Sequence, residues 1–211
     1  MHNESSIFFF LILSKKKIKS QMSTFVKTNV IIFIGAPLSG KGTQGQRLAE
    51  HLNYAYVSTG DLFRSEVSSG SDLGQQMKIY MERGDLIPDE LTEEFLSKKL
   101  SEDRFRHGMI LDGYPRNLTH LTIFQNILKN VQREILAVVY LNVSKDELNR
   151  RRTTRSRADD DEKVFEHRYE VVENETLPLV EYFRTQNLLI EIQSIDNTQE
   201  QILVAINNLM P

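Results

Sequence analysis

The first clear block along the chain is Val30–Ile34, an unbroken apolar run of mostly β-branched residues. Such a run suits a strand of a parallel sheet covered on both faces, since polar alternation would mark a half-exposed one. A glycine-framed stretch, Gly35 to Gly42, leads into Thr43–Glu50, whose spacing is helical and ends near His51-Leu52-Asn53. Ala55–Ser58 reads as a short strand, and Thr59-Gly60-Asp61 offers capping-type residues to the helix after it. Helical spacing continues through Leu62–Ser68, Asp72–Arg83 and Asp89–Leu100, broken at Ser69-Gly70-Ser71 and at Gly84-Asp85-Leu86-Ile87-Pro88. Short helices clustered between two strands predict an inserted lobe rather than a single crossover. Gly108–Asp112 is a third strand that ends in an acidic residue. A helix over Leu118–Asn130, a strand over Leu136–Leu141 and a helix over Lys145–Arg152 follow. The long helical pattern Asp161–Gln186 contains Pro178, which should bend or interrupt it. Leu188–Ile192 is the last strand and Thr198–Leu209 the closing helix.

Strands alternating with helices predict an α/β fold: a five-stranded parallel sheet with helices on both faces and ligands outside the carboxyl ends of the strands. At the first of those ends sits the loop Gly35–Gly42. Backbone N–H groups converge there on a helix N-terminus, where unsatisfied donors and the helix dipole favour an anion. Lys41 adds a full positive charge with the reach to meet the β- and γ-phosphates of a nucleotide. The strict pattern G-x-x-x-x-G-K-[ST] is missed by one place, because Gly42 follows Lys41 and Thr43 comes next.

Bulk composition narrows the choice further. The chain has 211 residues, 40% apolar and 26% charged, enough for one domain with a sizeable core. A net charge of −3 supplies no global field to recruit nucleic acid or an anionic membrane. Without a single cysteine the chain has no disulfide, thiol nucleophile or cysteine-held zinc, which fits a reducing cytoplasm. Residues 1–28 stand apart as an N-terminal extension of the domain 29–211. Their apolar run Ile7–Leu13 is far shorter than the ~20 residues that span a bilayer. Its positive charges, Lys15-Lys16-Lys17-Ile18-Lys19, follow the run, the reverse of a secretory signal. Residues 1–24 are expected to be poorly ordered, and Met22 is the expected native start.

Four segments at the strand ends carry a resemblance. Gly35–Gln44 (GAPLSGKGTQ), Ser58–Arg64 (STGDLFR), Leu111–Arg116 (LDGYPR) and Arg155–Asp160 (RSRADD) resemble the adenylate kinases, nucleoside monophosphate kinases that convert ATP and AMP into two ADP. The likeness runs from about Val30 to Leu209. It implies a P-loop kinase fold with an AMP-binding lobe at about 58–87 and a short lid at about 151–161. About ten residues of lid exclude a zinc ribbon or a long β-insertion.

Phosphoryl chemistry explains the residue types independently. In-line transfer asks a protein to position two nucleotides, neutralise charge and exclude water, so arginines should converge on the reacting phosphate. The candidates are Arg64, Arg116, Arg151, Arg155, Arg157 and Arg168, while Arg150 and Arg152 read as surface charge. The resemblance implies that Leu38, Ser39, Gly40, Lys41, Gly42, Thr43, Arg151, Arg155 and Gln199 hold ATP. It gives the AMP site Thr59, Arg64, Asp85, Leu86, Ile87, Gly113, Arg116 and His120. Arg157 and Arg168 would span both substrates, and Lys41, Arg116, Arg157 and Arg168 would be catalytic. It also implies a cis Tyr114–Pro115 bond and Mg²⁺ beside Asp61 and Asp112, held through water because Gly42 replaces a hydroxyl ligand. Asp61 can equally cap its helix.

His120 departs from the pattern. The family has glutamine there to read the adenine edge, and neutral imidazole offers one donor and one acceptor instead. It could read the base, or be a half-exposed helix residue without a base contact. Thr59 favours AMP, because the related UMP/CMP kinases usually have alanine in its place. The expected protein is a monomeric, Mg²⁺-dependent cytoplasmic adenylate kinase acting on ATP and AMP, with no nucleic-acid or membrane partner. A kinase for UMP or CMP, or a nucleotide sensor without turnover, are the alternatives.

Overall fold

A computed structural model describes residues 28–102, 105, 107–153, 162–193 and 198–209. Five strands form one parallel sheet: β1 (Thr28–Ile34), β2 (Ala55–Ser58), β3 (Met109–Asp112), β4 (Arg133–Asn142) and β5 (Leu189–Gln193), in the order β2-β3-β1-β4-β5. The apolar run of β1 lies at the centre because both of its faces are buried. Val30, Ile32 and Ile34 join one core cluster, and Ile31 and Phe33 join the other. A parallel sheet covered on both sides needs such a run.

The helices are α1 (Lys41–Leu52), α2 (Thr59–Ser68), α3 (Asp72–Arg83), α4 (Asp89–Leu100), α5 (Leu118–Asn130), α6 (Lys145–Arg152), α7 (Glu162–Val171), α8 (Leu177–Thr185) and α9 (Thr198–Asn207). Leu48 of α1 packs with Ile202 and Ile206 of α9 on one face of the sheet. Phe95 and Leu96 of α4, Phe124 of α5 and Phe183 of α8 cover the other. Among the described residues no helix is long and apolar enough to cross a membrane.

Register places the chemistry. Phe33 pairs with Asp112, and Asp112 with Ser58, so β1, β2 and β3 end level. The three loops that follow therefore open onto the same edge of the sheet.

Two departures from the sequence reading have physical causes. β4 begins three residues earlier than expected, where Arg133 pairs with Thr28 of β1 and the ladder skips a residue between Val30 and Ile31. The interruption expected at Pro178 lies one turn before it, as a π-helical segment, Val172–Thr176, between α7 and α8. Proline lacks the N–H that would close the preceding turn, and its ring crowds the carbonyl four residues back. The loosened turn is used: Thr176 Oγ1 donates to the Arg116 carbonyl at 2.9 Å, and Glu175 accepts from Asn117 Nδ2 at 3.3 Å.

Candidate active site

Two cavities meet at the carboxyl edge of the sheet. One, of about 630 Å³, is polar; the β1–α1 loop, Asp61, Asp112 and Arg151 line it. The other, of about 480 Å³, is an apolar slot with Phe63, Val67, Met81, Ile87 and Tyr114 on its walls. Gly60, Arg64, Gly84, Gly113, Arg116 and Arg168 border both. A polyphosphate tail and a flat apolar base could thus lie end to end, with guanidinium groups at the junction.

The loop after β1 is built for an anion. Leu38 (φ 67°) and Gly40 (φ 97°) take left-handed conformations that wrap the backbone round. No side chain caps α1, and its first turn carries no acidic residue. Its leading N–H groups and the positive end of its dipole therefore face the polar cavity with no carboxylate of the helix's own first turn to compete. Lys41 Nζ donates to the carbonyls of Gly35 and Ala36, both at 2.8 Å, and so fastens the loop across its own base. Arg151 fastens it from outside, donating to Leu38 O at 3.3 Å and Ser39 O at 3.2 Å while pairing with Glu147 at 2.7 Å. Leu38, Gly40, Lys41, Gly42 and Thr43 line the cavity.

The junction is strongly positive. Arg116 Nε donates to Gly113 O at 2.9 Å, and its guanidinium is pushed down to about 10 by burial first and by the Arg168 charge next. Arg64 adds to that repulsion and Asp112 opposes it. Holding several guanidinium groups close together is costly unless an anion joins them, so the spot has the charge that an anion would balance. Arg64 is ion-paired with Asp61, one turn earlier on α2.

Asp112 is held by a residue that the sequence reading missed. Tyr56 Oη donates to Asp112 Oδ2 at 2.8 Å, and burial together with that carboxylate raises the phenol well above its usual range. Tyr56 lies on β2 two residues before Ser58, and only the β2–β3 register brings it to Asp112.

Several of the residues expected at the site are placed otherwise than the sequence suggests. Ser58, not Asp61, caps α2: its Oγ accepts from the Asp61 N–H at 3.2 Å, which leaves the Asp61 carboxylate to Arg64. Thr59 is fully buried, gives its hydroxyl to Asp112 O at 3.0 Å and is not among the cavity walls. Ser39 is likewise buried beneath the loop. Gln199, in the first turn of α9, lines neither cavity. Arg152 is no surface charge: its guanidinium sits 5.8 Å from the Phe165 ring and its side chain is only 22% exposed. Arg150 is exposed as expected. Arg155, Arg157 and the acidic run Asp159-Asp160-Asp161 lie outside the described residues, as do residues 1–27.

Asp85, Leu86 and Ile87 line the apolar slot, and Tyr114–Pro115 is cis. Asp85 Oδ1 also meets His167 Nε2 of α7 at 2.8 Å, so the loop beneath α3 is tied to the helix that carries Arg168. His120 lines the slot too, but it is buried rather than half-exposed, and Asp89 Oδ1 lies 2.9 Å from its Nε2.

A parallel sheet with a phosphate loop after its first strand, an inserted helical lobe and an arginine junction between two cavities is that of a P-loop nucleoside monophosphate kinase. Comparison with known proteins narrows the class. The family profile described as adenylate kinase matches residues 33–188. An adenylate kinase of Thermobifida fusca is 39% identical over 174 residues, which cover 81% of this chain and 92% of the relative. One from Mycolicibacterium paratuberculosis is 42% identical over 156 residues, 74% of this chain and 86% of the relative. One from Prochlorococcus marinus is 37% identical over 173 residues, 82% and 92%. The chain belongs to the adenylate kinase family.

Proposed function

We propose that this chain transfers the γ-phosphoryl group of ATP to AMP and forms two ADP. The observation that carries the reading is the junction, where Arg64, Arg116 and Arg168 border both a phosphate-loop cavity and a base-sized apolar slot. ATP lays its phosphates along the β1–α1 loop, on its N–H groups and Lys41. AMP lies in the slot with its phosphate among Arg64, Arg116 and Arg168. A phosphate oxygen of AMP forms the new bond to the γ-phosphorus while the bond from that phosphorus to the β-bridging oxygen breaks. One ADP is then the product and the other the leaving group. The attacking oxygen is already ionised, so no general base is required. The arginines hold the two nucleotides in line and balance the charge on the transferred group.

Two further arginines of the lid, Arg155 and Arg157, complete this arrangement in the reading. Closure of lobe and lid keeps water from the γ-phosphate. For Mg²⁺ the fit is that of a hydrated ion. Among the described residues no group of three His, Asp or Glu could hold a metal unaided, yet Asp61 and Asp112 both line the polar cavity. Magnesium that keeps several waters and binds phosphate oxygens needs no more than two such carboxylates, which would accept hydrogen bonds from its waters. Bound there, it would neutralise charge on the phosphates. We take the enzyme to act as a monomer in the cytoplasm, a compartment that a chain without cysteine fits.

The test is a coupled ADP-formation assay with ATP and, in parallel, AMP, UMP, CMP and GMP. ADP formation with AMP is the expected result. Turnover with only UMP or CMP would reassign the acceptor, and ATP binding without turnover in any well would make the chain a sensor.

A further inference from the structure

His167 lines neither cavity, yet it touches a residue that does. α3 ends at Gly84, and the loop that follows, Asp85 to Ile87, forms part of the wall of the apolar slot. Asp85 Oδ1 lies 2.8 Å from His167 Nε2 on α7. A carboxylate has no proton to give, so Nε2 carries the proton and donates. Glu170, one turn further along α7, lies 4.0 Å from Nδ1, and the ring stands between two carboxylates. The same loop packs on the same turn of α7: a Cβ on Gly84 would lie 3.0 Å from Cγ of Arg168 and 3.4 Å from Cγ1 of Val164. α7 is separately fastened to α6. Lys145 pairs with Glu166 at 2.7 Å and sits 4.9 Å from the Tyr169 ring, and Arg152 meets Glu162 at 3.3 Å. The residue that meets the inserted lobe and the arginine that borders both cavities are therefore neighbours on one anchored helix.

Resting on the adenylate kinase reading, we infer that His167 is a positioning residue: its bond to Asp85 latches the loop of the inserted lobe onto α7 beside Arg168. Asp85–Ile87 walls the slot, so the bond that holds this loop against α7 also holds the wall in register with the arginine junction. A contact made only with the lobe docked adds its free energy to the binding of whatever ligand requires the docked lobe. AMP in the slot is that ligand. ATP on the β1–α1 loop is not, because neither Asp85 nor His167 lines the polar cavity. The size of the effect follows from exposure. The side chains of His167 and Asp85 are 43% and 38% exposed, and a pair so open to water is worth up to about fivefold in an equilibrium constant. His167 thus tunes acceptor affinity and leaves the chemistry to the arginines.

The experiment measures initial rates of ADP formation with AMP and ATP varied in turn, and AMP affinity by titration calorimetry, which needs no turnover. His167→Ala should raise KM and Kd for AMP about three- to fivefold, with KM for ATP and kcat unchanged. His167→Gln and His167→Lys keep a donor within reach of Asp85 and should recover most of the AMP affinity. In an Asp85→Ala background, His167→Ala should add nothing, because the partner is already gone. A residue that only braces α7 would lower the urea midpoint and weaken ATP and AMP together, in either background, and that result would overturn the inference. An AMP affinity unmoved by His167→Ala would overturn it as well. Absence of turnover with every monophosphate would strike the kinase reading instead, and the calorimetric AMP affinities would still decide the role of His167.

Discussion

Gly84→Ala separates two roles that one residue holds. Gly84 ends α3 with φ 79°, its N–H bonding back to the Met81 and Tyr80 carbonyls. An L-residue in that left-handed turn costs about 1–2 kcal/mol, because its Cβ crowds the following carbonyl. A Cβ placed there would also lie 3.0 Å from Cγ of Arg168 and 3.4 Å from Cγ1 of Val164. That is tighter than ordinary contact, so the Arg168 stem must give by a few tenths of an ångström. Misplacing a catalytic group by about 1 Å can cost around 10²-fold, which scales here to roughly tenfold in kcat. Urea unfolding should show a loss of about 1–2 kcal/mol, and initial rates on fully folded protein a tenfold fall. Gly84→Asn tests the division, since asparagine tolerates positive φ yet carries the same Cβ. It should recover most of the stability and little of the rate. If Gly84→Asn regains both, or Gly84→Ala keeps full turnover, the close approach of Gly84 to Arg168 has no bearing on catalysis.

Arg116→Ala should lower kcat on the order of 10³-fold with little loss of stability, and Arg116→Lys should not restore it. The lysine lacks the Nε that donates to Gly113 O; steady-state ADP formation beside urea midpoints checks both. Tyr56→Phe removes the donor to Asp112 Oδ2 and should cost about 1–2 kcal/mol. It should also raise the Mg²⁺ concentration at half-maximal rate, and an unchanged Mg²⁺ titration would mean that Tyr56 does not hold Asp112 for the metal's waters. The depressed His120 imidazole gives a pH signature whose sign is definite. The unfolded chain binds the proton more readily, so this residue's contribution is full above the ordinary histidine value near 6.5 and is lost as pH falls through the lower folded value. Urea midpoints measured from pH 7.5 to pH 5 should therefore fall more steeply in the wild type than in His120→Gln; Asp89, Arg116 and Glu175 are the charges that face the ring.

What could be read from the chain depended on how local its cause was. β1 was legible because burial on both faces forces an unbroken apolar run, and α3 and α4 because a serine cap or a proline opens each within a few residues. The phosphate loop and Arg116 are written in contiguous motifs. Features that depend on contacts between distant residues were not legible. Tyr56 and Asp112 are 56 positions apart, His167 and Asp85 82 apart, and nothing near either member announces the other. A motif residue can also be present and yet be turned elsewhere. Thr59 lies in STGDLFR, but the close end of β3 draws its hydroxyl onto the Asp112 carbonyl. The same logic bears on His120. Read along the chain, it is a substitution at a base-reading position whose outcome depends on which way the ring points. In the fold, Asp89 opens α4 and meets Nε2, and Arg116 belongs to the loop after β3 and gives its N–H to Nδ1, so the clamp closes only when those two segments dock. The clamp on the imidazole is thus absent from the unfolded chain as a unit, and the packing of α4 against α5 creates it.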